Sequence, residues 1–401
     1  MPNRTVVILG AARTPIGKYG GAFKDVHPAE LGAVAARAAI ARAGLHPDVI
    51  EDVWMGHGRQ AGSGPNPARQ VAHRAGLPHH VPAQTINKAC ASGLQAVASA
   101  AQAILLGEVE VALAGGIESM SRMPYLVESI DARWGHRMGH FPFVDAMYRD
   151  GFHCPLANLI MGETAEVLAR QYGITREASD QFALGSQAKA AAAQQAGRFA
   201  PEIAPVTVDG RGGPLEVALD EHPRAGTTLE TLRRLPPTFP QVEGQPGIIT
   251  AGSASGITDG GAALVLASGE FASAHGLTPL ATITGWASAG VEPRLMGIGP
   301  VPALRRLEQR TGLAVEAFDL VELNEAFAAQ VLAVLREVSI PEDRLNVNGG
   351  AIALGHPIGA TGARMLVTLL YELRRRGAER GVATLCVSGG MGMALAVDAC
   401  A

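Results

Sequence analysis

One order of elements is written twice along this 401-residue chain. The first copy runs from a turn at Gly93 through an Ala/Leu-rich helical stretch to Leu106. A β-like run at 109–114 follows, closed by Gly115-Gly116. The second copy starts at Gly362, continues as a helical stretch to Arg375 and passes into a β-like run at 382–387, closed by Ser388-Gly389-Gly390. A helix tied to a strand by a short loop must cover a sheet face. Other stretches repeat the alternation, with strands expected at 6–10 and 52–55 and a helix at 27–43 ended by Gly44. The pattern predicts layered α/β architecture with buried, mostly parallel strands. Two similar halves would then stack with their glycine corners face to face.

Bulk properties narrow the class. Hydrophobic residues make up 47% and charged residues 17%, which describes a buried, ordered protein of two or three domains. A net charge of −4 offers no basic face for nucleic acid. The four cysteines form no C-x-x-C pair, so neither a zinc site nor a disulfide framework is expected, and reduced thiols point to the cytoplasm. Residues 89–107 carry no charge and are long enough to cross a membrane, but Ser92, Gln95, Ser99 and Gln102 interrupt them. A helix buried between layers is the expectation, with no membrane partner.

Residues 121–250 break the rhythm. Tyr125, Trp134, Phe141, Phe143, Tyr148 and Phe152 crowd its start. Helices are expected at 162–172 and 175–197, the second capped by Thr175, and 210–246 is rich in Gly and Pro. Such an insertion reads as a lid or binding subdomain, or as a contact surface in an oligomer.

Three glycine corners carry chemistry. Cys90, in Asn87-Lys88-Ala89-Cys90-Ala91-Ser92-Gly93, is expected where a turn becomes a helix, a place that favours a thiolate. His356 is held between Gly355 and Pro357, as a general base would be. Cys386 ends an apolar strand ahead of Gly389-Gly390. A thiol with an imidazole makes an activated nucleophile, and a second thiol can move a proton. Asn324, after the strand-like 320–323, either holds a water or an oxyanion or caps the helix that follows. Cys154 and Cys400 read as core residues. The loose dinucleotide pattern from Gly56 to Ala61 lacks its helix, because Pro65 and Pro67 intervene, and neither a P-loop nor G-x-S-x-G occurs.

Taken together, these segments resemble the thiolase family over essentially the whole chain. The resemblance rests on Arg13-Thr14-Pro15-Ile16-Gly17, Cys90-Ala91-Ser92-Gly93, Gly115-Gly116-Ile117-Glu118-Ser119-Met120-Ser121, Asn324-Glu325-Ala326-Phe327, Gly355-His356-Pro357 and the Cys386 turn, in the family's order. It implies a five-layered αβαβα fold of two duplicated mixed-sheet halves, 1–270 and 271–401, with 121–250 as an inserted loop domain that holds coenzyme A. It also implies that Cys90 is acylated, His356 activates it, and Cys386 exchanges the α-proton. Asn324 would hold a water in one oxyanion hole, and the amides of Cys90 and Ser388 would form the other. Arg224 and Thr231 would meet the nucleotide end, and Ser255 the pantetheine arm. Met161, Phe239, Met296 and Phe327 would line the channel. The implied substrates are acetyl-CoA, CoA and 3-ketoacyl-CoA, with no further cofactor and no metal, in a homodimer or homotetramer. Two positions depart from the family pattern. Ile160 stands where members known for acetoacetyl-CoA synthesis usually have His, leaving room for longer 3-ketoacyl chains. Ser388 replaces a common Gly. More distant readings are a decarboxylating condensing enzyme and a non-catalytic lipid carrier of the same kind.

Overall fold

The computed structural model describes residues 4–127, 132–210 and 212–400. The N-terminal half contains β1 (Val6–Arg13), α1 (Pro28–Arg42), β2 (Asp52–His57), α2 (Pro67–Arg74), β3 (Ala83–Ile86), α3 (Ser92–Leu106), β4 (Val111–Ser119) and, after an insertion, β5 (Thr258–Ser268). The insertion holds α4 (Met161–Gln171) and α5 (Arg176–Gln195). The C-terminal half contains β6 (Ala281–Gly290), α6 (Pro300–Thr311), β7 (Leu320–Leu323), α7 (Ala328–Glu337), α8 (Ile358–Arg376), β8 (Arg380–Val387) and β9 (Met391–Ala399).

Strand order reveals the duplication. The N-terminal half runs β3-β2-β4-β5-β1, with β5 antiparallel to both neighbours and β2 parallel to β3 and β4. The C-terminal half runs β7-β8-β9-β6, with β9 antiparallel to both neighbours and β7 parallel to β8. Leu345 forms a parallel bridge to Val321, outside β7, where β3 lies in the other half. The halves therefore match strand for strand. Their first strands join through only Val7 with Thr282 and Ile8 with Ala281.

The period-2 alternation of β4 sorts its side chains between two cores. Val111 and Leu113 pack with Ala33, Ile40 and Val71 of α1 and α2. Ala112 and Ala114 face Val97 and Ile104 of α3 and Leu366 of α8. Beyond the second sheet, Leu304 and Leu307 of α6 and Val331 and Val334 of α7 cover Val321 and Val382. The layers are thus outer helices, sheet, the α3/α8 pair, sheet, and outer helices. The apolar stretch Ala89–Leu106 is long and apolar enough to cross a membrane, yet it supplies this central layer and most of it is buried.

Close approach in that layer fixes the site. A Cβ on Gly93 would lie 2.9 Å from the Gly359 carbonyl, one on Gly362 2.7 Å from the Leu94 amide, and one on Gly116 2.2 Å from the Gly359 carbonyl. Only bare backbone fits there, so the N-terminal turns of α3 and α8 cross at touching distance beside β4. Thr175 caps α5 as expected, its hydroxyl accepting from the Ala178 amide at 3.2 Å.

Candidate active site

Parallel strands point their carboxyl ends at one crevice, which is where open α/β sheets place their ligands. Asn324 directly follows β7, Cys90 lies four residues beyond β3, and Cys386 with Ser388 straddles the end of β8. His356 is reached from the Leu345 bridge that stands in for a third strand. Cys90 and His356 therefore occupy equivalent corners of the two halves, each just ahead of a central helix.

The Cys90 corner differs from the expected helix start. The helix begins at Ser92, with Ala91 as its N-cap residue and no side-chain cap, so Cys90 precedes the first turn. Ala89 adopts φ 45°, a left-handed conformation uncommon for a residue with a Cβ. The Ser92 hydroxyl accepts from the Lys88 amide at 2.9 Å and donates to the Ala89 carbonyl at 2.6 Å. The turn is pinned by that serine. Cys90 is buried, with its Sγ 3.8 Å from the Ser388 hydroxyl. The positive φ values beyond Cys386 fall on Gly389 and Gly390, so serine at 388 carries no backbone penalty.

Cys90, His356, Cys386 and Ser388 line one cavity of about 310 Å³. Burial, and secondarily the neighbouring Cys90, push the Cys386 thiol well above the ordinary range. The His356 Nδ1 lies 2.6 Å from the Thr361 hydroxyl, whose own hydrogen goes to the Pro357 carbonyl at 2.9 Å. Nδ1–H must therefore donate, which leaves the Nε2 lone pair facing the Asn324 amide nitrogen at 3.5 Å. Burial, then the positive charges of Arg364 and Arg59, hold the imidazole down to about 3. His356 is a neutral base at rest. The acid limb of the free enzyme's kcat/KM profile should accordingly lie below about pH 5 rather than near the ordinary histidine value of about 6.5. A pH series on acylation by a CoA thioester checks this, and a limb near 6.5 would contradict it.

Asn324 does not cap the following helix. That helix begins at Ala328 after Phe327 without a side-chain cap, and Asn324 turns toward His356, its Oδ1 buried without a protein partner. The adjacent Glu325 accepts from Ser186 at 2.6 Å, Asn346 at 2.8 Å and the Ile352 amide at 3.2 Å, tying α5 to the loop that leads to His356.

Met161, Phe239, Ser255, Met296 and Phe327 line the same cavity as the thiols. Arg224 and Thr231 do not. They share a separate cavity of about 270 Å³, and the Thr231 hydroxyl is engaged with Thr228 in a helix-start box, donating at 2.8 Å and accepting at 3.1 Å.

Sequence reasoning missed Arg59, Met120, Tyr148 and Phe152, which also line the catalytic cavity. Arg59 lay inside the Gly56–Ala61 pattern. The prolines do not abolish the helix after that pattern, contrary to the expectation from sequence. Pro67 opens α2 after Asn66, and what the dinucleotide pattern lacks is a helix starting at its own glycine turn. The signal left unread was its position at the carboxyl end of a parallel strand. Glu118 was likewise quoted only as part of a motif. Its buried carboxylate accepts from the amides of Gly58 at 3.2 Å, Arg59 at 3.3 Å and Gly359 at 2.9 Å, and His57 Nε2 lies at 3.1 Å. It clamps the two halves together at the crevice.

The family models for the N-terminal and C-terminal domains of thiolase match residues 6–270 and 277–399. This chain belongs to the thiolase family. It is 52% identical to an acetyl-CoA acetyltransferase of Cupriavidus necator, covering 98% of this chain and 99% of that protein. Among solved thiolase structures, that of the Bacillus anthracis acetyl-CoA acetyltransferase matches with a TM-score of 0.95 at 46% identity over 99% of both chains. The human mitochondrial 3-ketoacyl-CoA thiolase matches with a TM-score of 0.95 at 42% identity, again over 99% of both chains. The duplicated, layered thiolase fold that the resemblance implies is the one observed. The mostly parallel strands expected from the helix–strand alternation are not: most neighbouring pairs in the large sheet are antiparallel, because β5 and β9 each run against both neighbours.

Proposed function

We propose that this thiolase transfers acyl groups reversibly through Cys90, joining two acetyl-CoA into acetoacetyl-CoA plus CoA or cleaving 3-ketoacyl-CoA with CoA. The observation that carries the reading is the convergence of two thiols and a neutral imidazole on one cavity. The names of the similar proteins agree with it.

The proton inventory closes within those residues. His356 Nε2 takes the Cys90 proton, and the sulfur attacks the thioester carbonyl. CoA leaves as the thiol with the Cys386 proton, so a Cys386 thiolate remains beside the His356 imidazolium. That thiolate removes an α-proton from a second acetyl-CoA, and the enolate attacks the acyl carbonyl on Cys90. Cys90 leaves and recovers its proton from His356. Every group returns to its starting state. A weakly acidic C–H is removed only if the enolate oxygen is stabilised, and preorganised donors contribute about 3–4 kcal/mol each. The Cys90 and Ser388 amides and a water held by Asn324 would serve.

The 121–250 insertion would hold CoA, with the nucleotide toward the Arg224/Thr231 cavity and pantetheine passing Ser255. A preference for longer 3-ketoacyl chains is a second reading, supported by Ile160, an apolar residue on the cavity wall. The exposed Tyr125, Trp134 and Phe143 support a homodimer or homotetramer, and reduced cysteines fit a cytoplasmic enzyme.

Purified protein should thiolyse acetoacetyl-CoA and longer 3-ketoacyl-CoA and release CoA from acetyl-CoA alone. Absence of both activities would defeat this reading.

A further inference from the structure

Arg59 is a buried cation on the wall of the catalytic cavity, and it has no acidic partner there. It is 6% exposed. Its Nη2 donates to the Gly151 carbonyl at 2.6 Å, its Nη1 reaches the Gly58 carbonyl only at 3.4 Å, and its Nε is buried with no partner. Among the described residues, no carboxylate lies within ion-pair distance of this guanidinium. The acids nearest in the chain and in the fold are engaged elsewhere. Glu118 receives three backbone amides with His57 Nε2 at 3.1 Å, and Asp150, half exposed on the rim of a larger neighbouring cavity, lies 3.7 Å from Arg149.

A guanidinium taken out of water and left unpaired costs folding free energy that an anion entering the pocket would return. Nothing in the transfer of an acetyl or alkyl chain asks for that charge, because Met120, Phe152 and Ile160 give the same cavity an apolar wall. Arg59 also stands where two spaces meet. A second cavity of about 780 Å³ adjoins the first and shares Arg59, Gly151, Met161 and Ser388 with it. A chain growing from an acylated Cys90 thus has room to run past Ser388 to the guanidinium.

We propose that Arg59 receives the terminal carboxylate of the acyl chain, so that the preferred substrates are CoA thioesters of 3-keto dicarboxylic acids. The assignment rests on the thiolase reading and names its substrate class. Attack of Cys90 at C3 breaks the C2–C3 bond, and Cys386 protonates C2 to release acetyl-CoA. CoA then takes the ω-carboxyacyl group from Cys90. The distal carboxylate is unchanged throughout, held by the planar fork that suits carboxylates.

The test is steady-state thiolysis by the full chain of the CoA thioester of 3-ketoadipic acid, of uncharged 3-ketohexanoyl-CoA of the same length, and of acetoacetyl-CoA. The wild type should favour the carboxylated substrate over its uncharged counterpart in kcat/KM. Arg59→Leu should lower that ratio about 100-fold, chiefly through KM, because a buried charge loses its partner. Arg59→Lys should retain part of it. A wild-type ratio at or below unity overturns the assignment. So does an Arg59→Leu variant in which both substrates fall together, which would make Arg59 a tether for the Gly151 loop. Inactivity of the wild type on all three would defeat the thiolase reading itself, an outcome distinct from a missing preference.

Discussion

Cys90→Ala is expected to abolish acyl-enzyme formation and to lower turnover by about 10,000-fold or more, the scale seen when a covalent nucleophile is removed. No neighbour can take its place. Cys386 is buried, with a thiol held protonated by its surroundings, and the side-chain contact of the Ser388 hydroxyl is with the Cys90 sulfur rather than with a base. Removing one sulfur from a site built on backbone turns should leave the fold intact, since Ser92 pins the corner whatever side chain stands at 90. Rapid-quench labelling with acetyl-CoA, alongside a thermal melt, separates lost chemistry from lost structure. Full activity in this variant would remove the acyl-enzyme from the account.

Cys386→Ala should behave differently. His356 activates Cys90 without help from Cys386. In the variant CoA, a good leaving group as the thiolate, can take its proton from the His356 imidazolium or from water, so close to one acetyl group per chain should still be taken up. Condensation and thiolysis should fall by about 1,000-fold, because a general base worth two to four orders of magnitude is gone. The same substitution should stop exchange of the acetyl-CoA methyl protons with deuterated solvent, a direct readout of α-proton removal. The raised thiol affinity for its proton is what makes Cys386 suited to that step. Once the departing CoA has carried its proton away, the thiolate is a strong base beside an imidazolium. Exchange that persists in Cys386→Ala would assign the proton transfer to another group.

Much of this was legible in the residues because the chemistry sits at sequence-local corners. Gly355 and Pro357 bracket His356, Gly389-Gly390 follow Cys386, and each central helix is an Ala/Leu-rich stretch that follows one of the reactive corners. The repeated helix, strand and glycine turn announced the duplication, and strand order in the two halves carries it through. What the sequence concealed depends on distances between remote segments. Gly93, Gly116 and Gly359 look like ordinary turn glycines until their missing Cβ atoms are seen to let α3, α8 and β4 touch. Glu118 reads as a strand residue, yet it receives amides from both halves. Arg59 fell inside a pattern set aside because of prolines that in fact precede and open α2, and only the fold turns its strand end into the cavity wall. Arg224 and Thr231 show the converse. Carried over by resemblance, they lie together but in a separate cavity from the one that Met161 and Phe239 of the same insertion help to line.

Acetyl-CoA offered without a second substrate, followed by acid quench and peptide mapping by mass spectrometry, asks most directly which sulfur holds the acyl group. The acetyl group should appear on the peptide that contains Cys90 and be absent from the one that contains Cys386. An acetyl group on Cys386 alone, or on neither peptide while condensation proceeds, would contradict the account.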